Sequence, residues 1–342
     1  MGVLKRMTAF VTGAVVGFAA FGTAQAQSVA EFYKGKQITL LVGTAAGGTY
    51  DVYARALARY IGKHIPGNPA IVVQNMGGAG GVPALNVLYK GAQDGTLIGA
   101  TTRTGPFDPM LYDRKFEFDA QKLKWLGSLA TETNVIITWH TAPVKTSDDL
   151  FKVEAIFAAA GATTDGVIYP KMINQWLGGK MKVVAGYAGS PEMMLAMERG
   201  EAHGRAGVPW GSVKQSNMDW VRDKKVNIVS QLALTKEPDL QDVPLILDYV
   251  KNPAHRAAFE MLFIRQDMGR PFLAPPDIPA DRLKVLRDAF VATAKDPEFL
   301  AEAQKGNLDI GLRTGEEVQA LVAKAYSSSK EAIDLIKDIL KE

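Results

Sequence analysis

The chain has 342 residues, 39 Lys and Arg against 36 Asp and Glu, an apolar fraction of 47% and no cysteine. That charge balance gives no support to nucleic acid or an anionic membrane surface as partner. The absence of cysteine excludes a disulfide framework, a thiolate nucleophile, a Cys-based zinc site and a lipid-bearing Cys.

At the N-terminus, Lys5 and Arg6 precede an apolar segment, Thr8 to Gly22, that ends in Ala24-Gln25-Ala26. This is the order of a charged region, an apolar region and an A-x-A cleavage site, so residues 1–26 are expected to be a cleaved export signal. The segment is shorter than the roughly 20 residues a spanning helix needs, and it contains Gly13, Gly17 and Gly22. Removing it leaves 316 residues with 37 basic and 36 acidic side chains, close to neutral. At roughly 150 residues per domain, that length predicts two lobes.

Ile38 to Val42 reads as a buried strand. A small-residue loop follows it, and then a helix from Asp51 to Lys63 with Val52, Tyr53, Ala56, Leu57, Tyr60 and Ile61 on one broad apolar face. Ile71 to Gln74 is a second strand, Asn75 to Gly81 (NMGGAGG) a second glycine loop, and Val82 to Tyr89 a helix with Pro83 in its first turn. Asp94-Gly95 is a turn and Thr96 to Thr101 a third strand. This βαβαβ order predicts a parallel sheet with both glycine loops on its carboxyl edge, where ligands of such sheets bind. Leu123 to Ala130 and Val135 to Trp139 are further strands.

The device then restarts. Val153 to Ala159 is a strand, Ala160 to Asp165 (AGATTD) a loop and Gly166 to Leu177 a helix. Met181 to Gly186, Tyr187 to Pro191 and Glu192 to Arg199 repeat the pattern, and Val226 to Leu234 is a late strand. The polar stretch Thr235 to Pro244 reads as a connection out of the second lobe. The C-terminal third reads as mostly helical, with Leu283, Leu286, Phe290 and Ala294 on one face. A helix start is expected at Asp296-Pro297 and a capping box at Thr314 and Glu317.

Two nucleotide motifs fail on spacing. GTAAGGTYD lacks G-x-G-x-x-G, and no G-K-[ST] follows to reach phosphates. His64, His140, His203 and His255 stand alone, with no i, i+4 pair, and no serine sits in a G-x-S-x-G elbow. No cofactor is expected. What remains is a set of small-residue loops at helix N-termini, which present backbone N–H groups to an anion.

The run AGGTYDVYARALARYIGKHI resembles the AGG-x-x-D-x-x-AR signature of the tripartite tricarboxylate transporter substrate-binding proteins, also called the Bug family. Asn75 to Gly81 is similar to their N-x-x-GAGG loop, and Asp94 to Leu97 to their DG-x-TL turn. Gly186 to Ser190 is similar to their Y-x-GS loop and Asp242 to Pro244 to their DVP connection. The order and spacing of these motifs agree with the family over nearly all of the chain after residue 26.

The resemblance implies an α/β, type II periplasmic-binding-protein fold with two lobes and a ligand cleft between them. Residues 27–127 and 236–342 are expected to form the first lobe and residues 128–235 the second. The implied function is non-enzymatic: capture of a small organic carboxylate by lobe closure and delivery to integral membrane permease subunits, by a periplasmic protein expected to be a monomer. A sensory receptor on the same fold, or a secreted enzyme using the same cleft, are the other classes open to the sequence. The chain departs from the family pattern at Gly161-Ala162-Thr163-Thr164, where a GSSG-like loop is usual. It departs again at Ala196, where an aspartate is usual. Both departures are expected to alter side chains facing the cleft.

Ala46, Gly47, Gly48, Gly78, Ala79 and Gly80 are read either as turn geometry or as close-approach points for a ligand. Thr49 and Asp51 are read first as helix caps, with Thr49 also placed to touch ligand, and Asn75 belongs to the second glycine loop. Arg103 follows the third strand among Thr101, Thr102 and Thr104, where a guanidinium would grip a carboxylate bidentately, or else lie solvated. In the second lobe the candidates are Gly161, Thr163, Thr164, Tyr187, Gly189, Ser190 and Arg205, with Trp210 as an apolar wall; capping explains the two threonines equally well.

Overall fold

The structure is a computed structural model that describes residues 28–161, 164–187 and 189–341. The expected export signal, Ala162, Thr163 and Ala188 lie outside the described residues. Eleven strands are described: β1 (Gln37–Val42), β2 (Ala70–Asn75), β3 (Leu97–Ala100), β4 (Lys124–Ser128), β5 (Asn134–Trp139), β6 (Ala155–Ala159), β7 (Met181–Ala185), β8 (Gly204–Pro209), β9 (Val226–Leu232), β10 (Pro271–Ala274) and β11 (Arg313–Thr314). The helices are α1 (Val29–Tyr33), α2 (Thr49–His64), α3 (Val82–Lys90), α4 (Asp108–Leu111), α5 (Asp165–Leu177), α6 (Ser190–Glu198), α7 (Trp210–Ser216), α8 (Met218–Arg222), α9 (Pro253–Asp267), α10 (Ala280–Ala294), α11 (Pro297–Lys305), α12 (Gly315–Tyr326) and α13 (Lys330–Lys341).

The strands form two sheets, ordered β11-β4-β10-β3-β1-β2 and β7-β6-β8-β5-β9. In the first, β1 lies between β2 and β3 and is parallel to both. In the second, β6 lies between β7 and β8, again parallel to both. Each lobe therefore contains one βαβαβ unit of the same order, and the loops after its three strands gather at one edge. β1 is buried on both faces: Ile38, Leu40 and Val42 are fully covered and Leu41 nearly so. Such two-sided burial is characteristic of a parallel strand under helices.

α2 covers this sheet with Tyr53, Ala54, Ala56, Leu57 and Ile61. Val52, expected on the same face, is 41% exposed instead and lines the interlobe cleft. In α10, Leu286, Phe290 and Ala294 are buried as the periodicity requires, and Phe290 meets Phe272 of β10 at 5.4 Å. The Thr314–Glu317 capping box opens α12, and Asp296 caps α11.

Three of the described strands were missed: β8, β10 and the two-residue β11, which pairs antiparallel with β4. β10 runs antiparallel between β3 and β4 in a third of the chain expected to be helical. It is four residues long, buried throughout, and shows no alternation to detect. β8 contains Gly207 in a left-handed conformation at φ 68°, and its pairing with β5 shifts register there, which broke the expected pattern.

The stretch Thr235–Pro244 does not leave the second lobe. It folds back on β9, where the Gln231 side chain donates to the carbonyls of Leu240 and Val243 and accepts from Glu237 N–H. α9 then packs on α5, with Trp176 stacked on His255 and Tyr169 edge-on to Phe263. The chain crosses between the sheets at 129–134, and segment 266–270 pairs with that crossing: Leu129 N–H donates to Arg270 O, Gly269 N–H to Ala130 O and Glu132 N–H to Gln266 O.

Candidate functional site

The first glycine loop is held from beneath by a buried carboxylate. Asp51, 2% exposed, accepts from Gly47 N–H at 2.8 Å, from Arg55 Nε at 2.9 Å and, on its other oxygen, from Asn75 Nδ2 at 2.8 Å. Asn75 Nδ2 also donates to Thr44 O, and Arg55 Nη2 donates to Asn75 Oδ1. Burial alone would raise the Asp51 pKa, but the hydrogen bonds from Arg55, Gly47 and Asn75 outweigh it and hold the carboxyl below its ordinary value.

Asp51 and Asn75 thus act as a clasp that shapes the loop, and their side chains are committed to it. Gly48 occupies the cap position of α2 with no side-chain cap bond. Thr49, expected as a cap, sits in the first turn and faces the cleft instead. Ala46, Gly47, Gly48 and Thr49 are exposed.

The second glycine loop rests against the first. A side chain at Gly77 would come within 2.8 Å of Ala45 N, so only a glycine allows this approach. Gly78, Ala79 and Gly80 are exposed, and Thr102 Oγ1 donates to Gly80 O at 2.7 Å, tying the end of β3 to the loop.

Between the lobes lies a chain of charges. Arg103, after β3, pairs with Glu132 on the crossing segment through Nη1 and with Asp165, the first residue of α5, at 3.0 Å through Nη2. Arg270 Nη1 pairs with the other Glu132 oxygen at 2.6 Å, and Arg265 Nη2 lies 3.8 Å from Asp165 Oδ1. Asn134 Nδ2 also donates to Asp165. Three guanidinium groups thus share two carboxylates, which leaves one positive charge in excess in this cluster. The sequence left Arg103 as either a carboxylate grip or a solvated side chain; here it links the lobes, with Nη1 and Nη2 each paired to one of the chain's own acids.

Cavities flank this link. One, of about 310 Å³, lies between the first glycine loop and lobe two, with Gly47, Thr49, Tyr53, Trp210, Lys214 and Arg270 among its walls. The other, of about 410 Å³, opens beside the second loop and is walled by Ala79, Gly80, Thr104, Asp108, Asp165 and Arg265 among others. Burial pushes the Asp108 carboxyl up against the opposing pull of Arg114.

In lobe two, Thr164 Oγ1 donates to Gly161 O at 2.7 Å and makes no cap bond to α5. Tyr187 packs against the apolar layer under α6. Gly189 is the cap residue of α6, and Ser190 its exposed first residue. Arg205 is 7% exposed and donates from Nη2 to Ser190 Oγ at 3.0 Å. Ala196, expected to face the cleft, instead lies in the apolar layer with Met193 and Met197.

Glu132 and Arg270 escaped the sequence reading because they lie on the crossing segments, and Arg265 because it lies near the end of α9; no local motif announces any of them. Asp165 closes the AGATTD loop but carried no signal beyond its place there. Among the described residues, no group of three or more His, Cys, Asp or Glu could hold a metal ion.

Residues 53–338 match the family described as TctC, tripartite tricarboxylate transporter family receptor. Over 332 residues the chain is 22% identical to the UPF0065 protein in the gbd 5' region of Cupriavidus necator, covering 94% of each. Among solved structures, a TctC solute-binding protein from Polaromonas superposes with a TM-score of 0.70 at 17% identity, over 90% of this chain and 99% of that one. MatC from Rhodopseudomonas palustris, solved with bound malate, gives 0.55 at 18% identity, over 89% and 99%. Such identities speak for a shared fold, while the family match spans most of the sequence. The chain therefore belongs to the tripartite tricarboxylate transporter receptor family, periplasmic solute-binding receptors of the TctC type, and has their two-sheet α/β fold.

Proposed function

We propose that the chain is exported by the signal in residues 1–26 and acts in the periplasm as a monomeric receptor. It closes on a small organic carboxylate and delivers it to an integral membrane permease. The two lobes exchange at segments 129–134 and 266–270, and the ligand enters between the carboxyl edges of their sheets.

The observation that carries this reading is the cleft itself. Two glycine loops expose backbone at the edge of one lobe, next to a cluster in which Arg103, Arg265 and Arg270 outnumber Glu132 and Asp165. Such a site attracts an anion and fixes it with backbone donors. On the lobe-one side the contacts are Ala46, Gly47, Gly48, Thr49, Gly78, Ala79, Gly80 and Thr102; on the lobe-two side they are Gly161, Thr163, Thr164, Tyr187, Gly189, Ser190 and Arg205. Asn75 serves the site by shaping the loop. A ligand carboxylate competes with Glu132 and Asp165 for Arg103, so its binding rearranges the link between the lobes. The malate bound to the related MatC is a carboxylate of the same class.

Calorimetry with a panel of mono- and dicarboxylates tests this, with Trp210 fluorescence as a second readout because its ring walls the cleft. At least one acid should bind and stabilise the fold, by about 2.7 kcal/mol at a hundred times its Kd. A panel in which no organic anion stabilises the protein or alters the Trp210 signal would sink the proposal.

A further inference from the structure

Arg205 differs from the other buried arginines of this molecule. Arg103, Arg265 and Arg270 are each partnered by a carboxylate. Arg205 is as well buried, at 7% exposure, yet among the described residues its hydrogen bond goes to the neutral Ser190 hydroxyl. Its Nε and Nη1 are buried with no partner.

Among the described residues no carboxylate forms an ion pair with it, and burial pulls the guanidinium down to about 10, which leaves it charged at neutral pH. An uncompensated buried charge is a standing cost to the fold, and such costs persist where a ligand relieves them. Ser190, the partner, is the exposed first residue of α6, a nine-residue helix with no side-chain cap. Its dipole adds to the pull on an anion.

The position is within reach of the cleft. Two residues along β8 from Arg205, Gly207 lies against Asp165, where a side chain would come within 2.9 Å of Asp165 Cβ. Asp165 in turn pairs with Arg103.

We propose that Arg205 and Ser190 form a second anion subsite in lobe two, which takes the distal oxyanion of a ligand whose first carboxylate lies at the lobe-one glycine loops. This subsite selects dianionic over monoanionic ligands of the same length. The inference rests on the carboxylate-receptor reading above and assigns the residues that set its ligand class.

The test is calorimetric titration with the matched pairs butyrate and succinate, and hexanoate and adipate, on the wild type and on Arg205→Met and Ser190→Asp. The wild type should favour the diacid at least tenfold in one pair. Arg205→Met should bring that ratio towards one, chiefly by losing the diacid, and should raise the ligand-free melting temperature because an unpaired charge has gone.

Ser190→Asp places a carboxylate on an exposed helix-start position that tolerates it, beside the guanidinium. It should likewise raise the melting temperature and weaken the diacid at least tenfold, and it carries the test if Arg205→Met does not fold. An unchanged ratio in the variants, or equal affinity for both acids in the wild type, overturns the subsite while leaving the receptor reading intact. No binding of any acid overturns both.

Discussion

Arg103 and Asp51 are both charged groups beside the first lobe's loops, and their surroundings assign them different work. Arg103 is 16% exposed and bridges Glu132 and Asp165 across the lobes, so removing it leaves two acids short of a partner. Arg103→Ala should lower the unfolding free energy in urea by about 3 kcal/mol. It should also increase the radius of gyration of the ligand-free protein in solution scattering, because the interlobe link is lost. Wild-type values on both counts would return Arg103 to a surface role.

Asp51 holds the glycine loop, and its depressed pKa fixes the sign of its pH dependence. The stability it contributes is present above the ordinary carboxylate pKa, about 4, and is lost as pH falls through its lower folded value. The gap in urea midpoint between wild type and Asp51→Asn should therefore be widest near neutrality and narrow below about pH 4. A gap independent of pH would show that the ionised form is not what holds the loop. The glycines and Arg103 were legible as single residues in the sequence because each follows a strand. Glu132 and Arg270 were not, since their roles come from partners far away along the chain.

The element that matters most to the site is the pair of glycine loops packed on one another. Gly77 permits this contact, with Ala45 N where its side chain would otherwise sit. Gly77→Ala should cost about 2 kcal/mol, since the obstacle is backbone and cannot swing aside. It should also weaken carboxylate binding by separating the loops, as calorimetry against wild type would show; unchanged stability and affinity would mean that the loops act independently. The helices and the parallel strands were readable because periodicity is a local property. β8 and β10 were not: one is broken by a register shift at Gly207, and the other is too short and too evenly buried to alternate.

For the whole molecule, the repeated order of the two βαβαβ units explains why loops over 100 residues apart meet. Each unit brings its strand ends to one edge, and the crossings at 129–134 and 266–270 turn those edges towards each other. The sequence by itself determined the fold class, the two glycine loops, the lack of nucleotide motifs and the family to which the chain belongs, because these depend on residues close together along it. Only the tertiary structure decided that Arg103 links the lobes, that Asn75 and Asp51 clasp a loop, that segment 235–244 folds back on β9 and that Arg205 is buried with no carboxylate paired to it among the described residues. Those facts depend on what surrounds a charge in space, and local spacing carries no record of that.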